Sequence, residues 1–290
     1  MSFRLNMVFA PLALLLAACG AAPDAAESES VAEDSEAIVR GVADDGHPQV
    51  VAVDVFKEDG SESFCSGAVF ANKAVVTAAH CIDGAVAALI YSGSDFYGDM
   101  GELGEGDPST WVKYRLSDGP DFFETHPKWD PATLNSDIGV VYLDRAFDFK
   151  PLPLAFADLD KHFVGLPLEI VGFGAAGLDE NGFPVDAFVK RKGKTFYQGA
   201  PKIKPLPVNP HPGLLIPKIR AQLMQLEGSA PKSNGCFGDS GGPSMFKFFG
   251  KHYIVGITSW GDDFCNDFSY HVRISEFLPF LGKAAYKSSH

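Results

Sequence analysis

Basic side chains are in short supply here: 24 Lys and Arg stand against 37 Asp and Glu, for a formal net charge of −13. Nucleic-acid binding needs a basic footprint, so this balance gives no support to such a partner. Cysteine is also scarce, with five in 290 residues and no Cys-x-x-Cys pair. That spacing is the usual basis of a thiolate zinc site, and no metal centre is expected. The apolar run within residues 1–18 is too short for a comfortable membrane span. Helical periods are missing between the short apolar runs that follow residue 38. What is plentiful is 24 Phe, 30 Gly and 20 Pro, within a hydrophobic content of 46%. The chain can therefore bury a large core, and its profile is that of a β-rich globular protein with many turns.

The N-terminal stretch carries one base, Arg4, and then apolar residues including Leu12-Ala13-Leu14-Leu15-Leu16. It reads as an export signal. Its end, Leu16-Ala17-Ala18-Cys19, resembles the lipobox of bacterial lipoproteins, in which the cysteine is lipidated and becomes the mature terminus. Residues 1–19 are accordingly expected to be a lipoprotein signal peptide with Cys19 as its anchor to a membrane. Gly20 stands where an inner-membrane lipoprotein commonly has aspartate, which favours an outer-membrane or surface location in a bacterial envelope. Residues 20–37 hold six acids and no base. They cannot bury enough apolar surface to offset ordering, and are read as a solvated acidic tether or propeptide. The folded domain is expected over 38–290.

Val50–Phe56, Ser66–Phe70 and Ala74–Thr77 read as short strands separated by turn signals such as Glu58-Asp59-Gly60-Ser61. Close spacing of that kind suggests an antiparallel barrel or sandwich. Three places then offer chemistry. Thr77-Ala78-Ala79-His80-Cys81 puts a histidine after small residues that let its ring pack against a close neighbour. Asp137 opens the apolar run Ile138–Leu143, so its carboxylate sits at the edge of the core and needs partners. Asn234-Gly235-Cys236-Phe237-Gly238-Asp239-Ser240-Gly241-Gly242-Pro243 rings a serine with glycines, which permit close backbone approach to a substrate. Taken singly, these would be a structural histidine, a strand-opening turn residue and a glycine-rich surface turn.

Together, Thr-Ala-Ala-His-Cys at 77–81, Asp-Ile-Gly-Val-Val at 137–141 and Gly-Asp-Ser-Gly-Gly-Pro at 238–243 resemble the catalytic motifs of the chymotrypsin/trypsin family, in that family's chain order. Ile38-Val39-Arg40-Gly41 resembles its mature N-terminus, with Arg40 in place of a usual glycine. The resemblance runs from about Ile38 to Leu281. It implies an all-β fold of two antiparallel six-stranded Greek-key β-barrels with the active site between them. The barrels would cover about 38–150 and 151–275, and a helix over 276–285, with Ser275 as N-cap and Pro279 weakening its first turns, would close the chain. It also implies a serine endopeptidase acting on protein or peptide substrates, as a monomer without a cofactor. His80, Asp137 and Ser240 would be catalytic, and the N–H groups of Gly238 and Ser240 would form the oxyanion hole. Disulfides Cys65–Cys81 and Cys236–Cys265 follow from the same resemblance.

Further roles are implied for other positions. Asn234, Ser259, Gly261 and Ser269 would form the specificity pocket, with Ser259 also bonding Asp137. Asn234 replaces the aspartate of trypsin-like enzymes and removes the main reason to expect Arg or Lys before the scissile bond. Asp262, Asp263 and Asp267 lie near enough in sequence to restore negative charge. Ile38 and Asp239 would form the activation pair once a protease cuts after Ala37. Calcium is a family option near Asp95, Asp99, Glu102 and Glu105, although acid-rich loops are ordinarily just solvated. Lys190, Arg191, Lys192 and Lys194 form a cationic cluster, read either as a contact for an acidic partner or as strand charges that discourage edge pairing. Six prolines between 201 and 217 make that segment a surface loop. The rival functional class is a catalytically inactive binding module or adhesin on the same fold.

Overall fold

The computed structural model describes residues 38–102, 111–185, 187–201 and 216–290. The expectations for residues 1–37, including Cys19, for Glu105 and for most of the proline-rich segment lie outside them.

Sixteen strands are found among the described residues. In chain order they are β1 Val42–Ala43, β2 Val50–Lys57, β3 Glu62–Ala71, β4 Ala74–Thr77, β5 Ala85–Tyr91, β6 Tyr114–Asp118, β7 Phe123–Thr125 and β8 Gly139–Tyr142. Then come β9 Pro167–Gly172, β10 Gly177–Leu178, β11 Pro184–Val185, β12 Arg191–Gly199, β13 Leu223–Glu227, β14 Pro243–Phe248, β15 Lys251–Gly261 and β16 Phe268–Arg273. Short helices α1 Ala79–Ile82 and α2 Pro217–Ala221 interrupt them, and α3 Leu278–Lys287 ends the chain.

The first sheet runs β6-β5-β2-β3-β4-β8-β7. The second runs β12-β13-β16-β15-β14-β9, with β9 paired back to β12, so six strands close into a barrel and β1 adds to β12 from outside. The fold is thus mostly β, as expected: a closed six-strand barrel, a half-barrel and a short C-terminal helix. The half-barrel differs in detail from a closed six-strand barrel, because no pairing joins β6 to β7. Val51, Val53, Val69, Val75 and Ile90 fill the half-barrel, whereas Leu168, Ile170, Met224, Leu226 and Val255 fill the closed barrel. A third cluster joins the two, with Val50, Ala68, Val76 and Val140 from one side and Val171, Met245, Ile254 and Ile257 from the other. Burying this continuous apolar surface holds the two halves at a fixed angle.

Two local readings are corrected. Ser275 lies within a 3₁₀ turn over Ile274–Phe277, and its hydroxyl bonds Asp158 rather than capping the helix. The helix itself starts at Leu278, which puts Pro279 in its first turn, where a missing N–H costs nothing. The edge-charge reading of the cationic cluster also fails. At the cluster, β12 pairs with β9 on one side from Arg191 to Lys194 and with β1 on the other at Arg191 and Lys192, and Lys190 just before it is buried, donating to the His47 carbonyl at 2.9 Å. Burial pulls the Lys190 amine down to about 8 against the raising influence of Asp44 and Asp45.

Candidate active site

Helix α1 follows β4 directly after its N-cap Ala78, and both Ala78 and the first helical residue Ala79 are fully buried. Their small side chains let the turn press against β8, which brings His80 to Asp137. The Asp137 carboxylate is wholly buried and accepts three hydrogen bonds. Oδ1 takes the His80 backbone N–H at 2.9 Å, and Oδ2 takes His80 Nδ1 at 2.8 Å and the Ser259 hydroxyl at 2.5 Å. Three donors offset the cost of burying the charge. With Nδ1 bound to a carboxylate, the other ring nitrogen is the one left to meet a proton.

Ser259 reaches Asp137 because of a bulge. Thr258 pairs with His271 and Trp260 with Tyr270, so Ser259 is the extra residue on β15. The bulge re-aims its side chain. The expected bond between Ser259 and Asp137 is present.

His80 and Ser240 face one cleft of about 500 Å³, whose walls include Leu134, Phe237, Trp260 and Asp263. The loop carrying Ser240 is tightly tied. The N–H groups of Asp239, Gly241 and Gly242 donate to Cys236, Thr258 and Asp239 carbonyls at 2.8–3.0 Å. Those of Gly238 and Ser240 have no protein acceptor among the described residues. Gly238 has φ +95°, and a Cβ there would meet Gly174 Cα at 2.9 Å. Only glycine combines that left-handed backbone with so close an approach. The Ser66 hydroxyl pins the Gly238 carbonyl at 2.9 Å from the far side.

Of the expected pocket residues, Ser259, Gly261 and Ser269 line the cleft. Asn234 sits behind it. Its amide nitrogen donates to Asp262 Oδ2 at 3.2 Å and to the Phe268 carbonyl at 3.3 Å, while its buried Oδ1 has no partner among the described residues. Asp262 also accepts backbone N–H groups from Phe264 to Phe268 and so is the organiser of that turn. His271, which sequence reasoning missed, lies fully buried behind the wall, with Nε2 at 3.1 Å from Ser269 Oγ. Burial pushes its imidazole down to about 3, so it is neutral. A buried polar strand residue leaves no signal in an alternating pattern.

Asp239 is buried and accepts the Gly174 and Cys236 N–H groups, each at 2.9 Å. No Lys, Arg or His pairs with it among the described residues. Burial pushes its carboxyl up to about 7, and the two N–H groups offset only part of that. Ile38 does not bond it here. The Ile38 side chain is buried with Leu168, Ile170, Tyr197 and Met224, and its carbonyl accepts the Gly41 N–H. The next residues are already docked, with Asn234 N–H on the Val39 carbonyl at 3.1 Å and Arg40 Nε on the Lys232 carbonyl at 2.6 Å. Arg40 has φ +62°, the backbone region that makes glycine usual at this point, and its guanidinium contacts with Lys232 and Gly228 hold it there.

The disulfides Cys65–Cys81 and Cys236–Cys265 are formed as expected. At the acidic loop, Asp99 bonds Lys113 at 2.6 Å and Tyr91, and Asp95 accepts the Gly98 N–H at 2.8 Å. Both carboxylates therefore have partners of their own, and no potential metal cluster includes them among the described residues.

Residues 38–281 match the family model described as Trypsin. The chain belongs to the trypsin family. Among similar proteins, human serine protease 56 is 28% identical over 211 residues, covering 70% of this chain and 31% of that protein. The phenoloxidase-activating enzyme of Bombyx mori is 25% identical over 263 residues, covering 82% of this chain and 57% of that enzyme. The chain thus spans about a third of the first relative and little over half of the second. A solved structure titled HL collagenase superposes with a TM-score of 0.64 at 18% identity, covering 85% of this chain and 97% of that one. That likeness is one of fold alone. The trypsin family is one of peptidase-type hydrolases, a class that needs no cofactor.

Proposed function

We propose that this trypsin-family domain is a serine endopeptidase whose nucleophile is Ser240, with His80 as base and Asp137 as orienting acid. The observation that carries the reading is the wholly buried Asp137 holding His80 Nδ1 at 2.8 Å while His80 and Ser240 share one cleft. In the first half-reaction, Ser240 Oγ bonds the scissile carbonyl carbon and its proton passes to His80 Nε2. The carbonyl oxygen, now negative, faces the unpaired N–H groups of Gly238 and Ser240, and one such donor is commonly worth about 3–4 kcal/mol. His80 then returns the proton to the leaving amine as the C–N bond breaks. Water repeats the sequence on the acyl-enzyme and frees Ser240. Asp137 keeps the imidazole in the right tautomer and offsets its positive charge.

The same proposal extends to export and activation. Leu16-Ala17-Ala18-Cys19 supports a lipid-anchored precursor in a cell envelope, and the acids of residues 20–37 support a solvated tether. A cut after Ala37 would free an ammonium at Ile38, and the buried carboxyl of Asp239, which has no cationic partner among the described residues, is the group that would gain most from it. A fluorophosphonate probe tests the central reading: it should label the chain cut at Ala37–Ile38 and leave Ser240→Ala unlabelled. Equal labelling of both would overturn it.

A further inference from the structure

A second cluster of chemistry-bearing side chains lies on the closed barrel, in a cleft that shares no residue with the Ser240 cleft. His47 comes from the segment between β1 and β2, Glu169 from β9 and His252 from β15. Glu169 Oε1 stands 3.1 Å from His47 Nε2 and 3.4 Å from His252 Nε2, and all three ligand atoms lie within 4.8 Å of one another. Four ligands placed tetrahedrally at the ~2.0–2.1 Å of zinc–nitrogen and zinc–oxygen bonds stand roughly 3.4 Å apart. Both distances from Oε1 match that edge.

Two further observations point to a cation. Glu169 Oε1 is buried, and His47 Nε2 at 3.1 Å meets it as an ion-pair contact without the geometry of a good hydrogen bond among the described residues, so the oxygen at the centre of the cluster is incompletely satisfied by the protein. Asp44 Oδ2 holds His47 Nδ1 at 2.9 Å and is itself wholly buried. Carboxylate, imidazole and open nitrogen in that order form the support common behind metal-binding histidines, since the carboxylate fixes the tautomer and aims Nε2 outward. Asp44 is fixed in turn by Lys192 Nζ at 3.1 Å and the Gly46 N–H at 3.2 Å. Lys192, Lys194 and Lys247 rim the cleft and would suit an anion, but the Glu169 oxygen between the two imidazoles would repel one.

The geometry points to a divalent zinc-type site formed by His47, Glu169 and His252, with the fourth position open to the cleft of about 390 Å³. Two imidazoles and one carboxylate are a donor set that Zn²⁺ accepts readily. The ion would clamp the segment running from the docked Ile38–Arg40 strap into β2 onto strands β9 and β15 of the barrel.

The test uses the full chain carrying Ser240→Ala, to prevent self-digestion, and Zn²⁺ alone as probe. Equilibrium dialysis should find one Zn²⁺ per chain, and Co²⁺ in its place should give the intense visible bands of a four-coordinate ion. Adding His252→Gln or Glu169→Gln should abolish stoichiometric binding, and Asp44→Asn should weaken it about tenfold or more. A matching His80→Ala chain should bind as before, which separates this site from the histidine of the Ser240 cleft. Circular dichroism checks that each variant is folded. Absence of stoichiometric Zn²⁺ in the parent chain, or unchanged binding in both folded His252→Gln and Glu169→Gln, would overturn the assignment.

Discussion

Gly174 and Asp239 are built against each other: the Gly174 N–H donates to Asp239 Oδ1 at 2.9 Å, and a Cβ on Gly174 would lie 2.5 Å from the Asp239 carboxyl carbon. The residue before the proposed nucleophile is therefore held by the segment just after β9, at a position where no side chain fits. Gly174→Ala should displace the carboxyl and with it the Gly238–Ser240 turn. Overpacking at such a site costs about 1–3 kcal/mol. Urea denaturation should show that loss, together with a larger loss of kcat than of substrate affinity.

The same carboxyl sets a pH dependence. Its ordinary value is 3.8 and burial raises it to about 7 in the chain still joined at Ala37–Ile38. The folded chain therefore holds a proton there that the unfolded chain releases, so this group favours folding at low pH. That contribution is lost as pH rises from about 4 and is gone above about 7. Thermal melts of uncut Ser240→Ala chain should show the fall, and Asp239→Asn should flatten it. A parallel slope in Asp239→Asn would assign the effect to other groups.

Ser259 supplies one of three hydrogen bonds to Asp137, at 2.5 Å. A bond to a buried charge is worth about 1.5–3 kcal/mol, so Ser259→Ala should lower kcat/KM by roughly 10- to 100-fold. Asp137→Asn reverses the donor pattern toward His80 Nδ1 and should cost far more, on the order of 10⁴-fold in kcat, as is general for Ser-His-Asp triads. Steady-state kinetics on one peptide substrate would rank the two, and the reverse order would remove Asp137 from its proposed role.

Cys236–Cys265 ties the nucleophile loop to the far wall of the cleft across 29 residues. Closing a loop of that length restricts the unfolded chain by about 3–4 kcal/mol. The double variant Cys236→Ser, Cys265→Ser should lose stability of that order and bind substrates less tightly. Cys65–Cys81 closes 16 residues around His80, and its loss should lower kcat more than it raises KM. Denaturation curves and Michaelis parameters on the two variants would show whether the effects divide in that way.

Much of the proposed site was legible from local sequence. Backbone-directed features leave contiguous marks, so the glycines around Ser240, the small residues before His80 and the apolar run after Asp137 could all be read in place. The cysteine pairing and the two-barrel fold followed from the resemblance those marks carried. The helix start was misread because Ser275 has a tertiary partner, Asp158, that outcompetes a local cap. Asn234 stands at the expected position along the chain, yet its side chain turns to Asp262 and Phe268 instead of lining the cleft.

Composition and motif order by themselves determined that the chain from Ile38 is a β-rich domain of the trypsin kind with a histidine, an aspartate and a serine in that order. Only the tertiary structure decided what closing a barrel brings together across long chain separations. It buried Lys190 beneath the His47 carbonyl, left Asp239 without a cation among the described residues, and set His47 and His252 around one Glu169 oxygen. Those residues lie on segments that meet only through strand pairing, so no local pattern in the chain records their meeting.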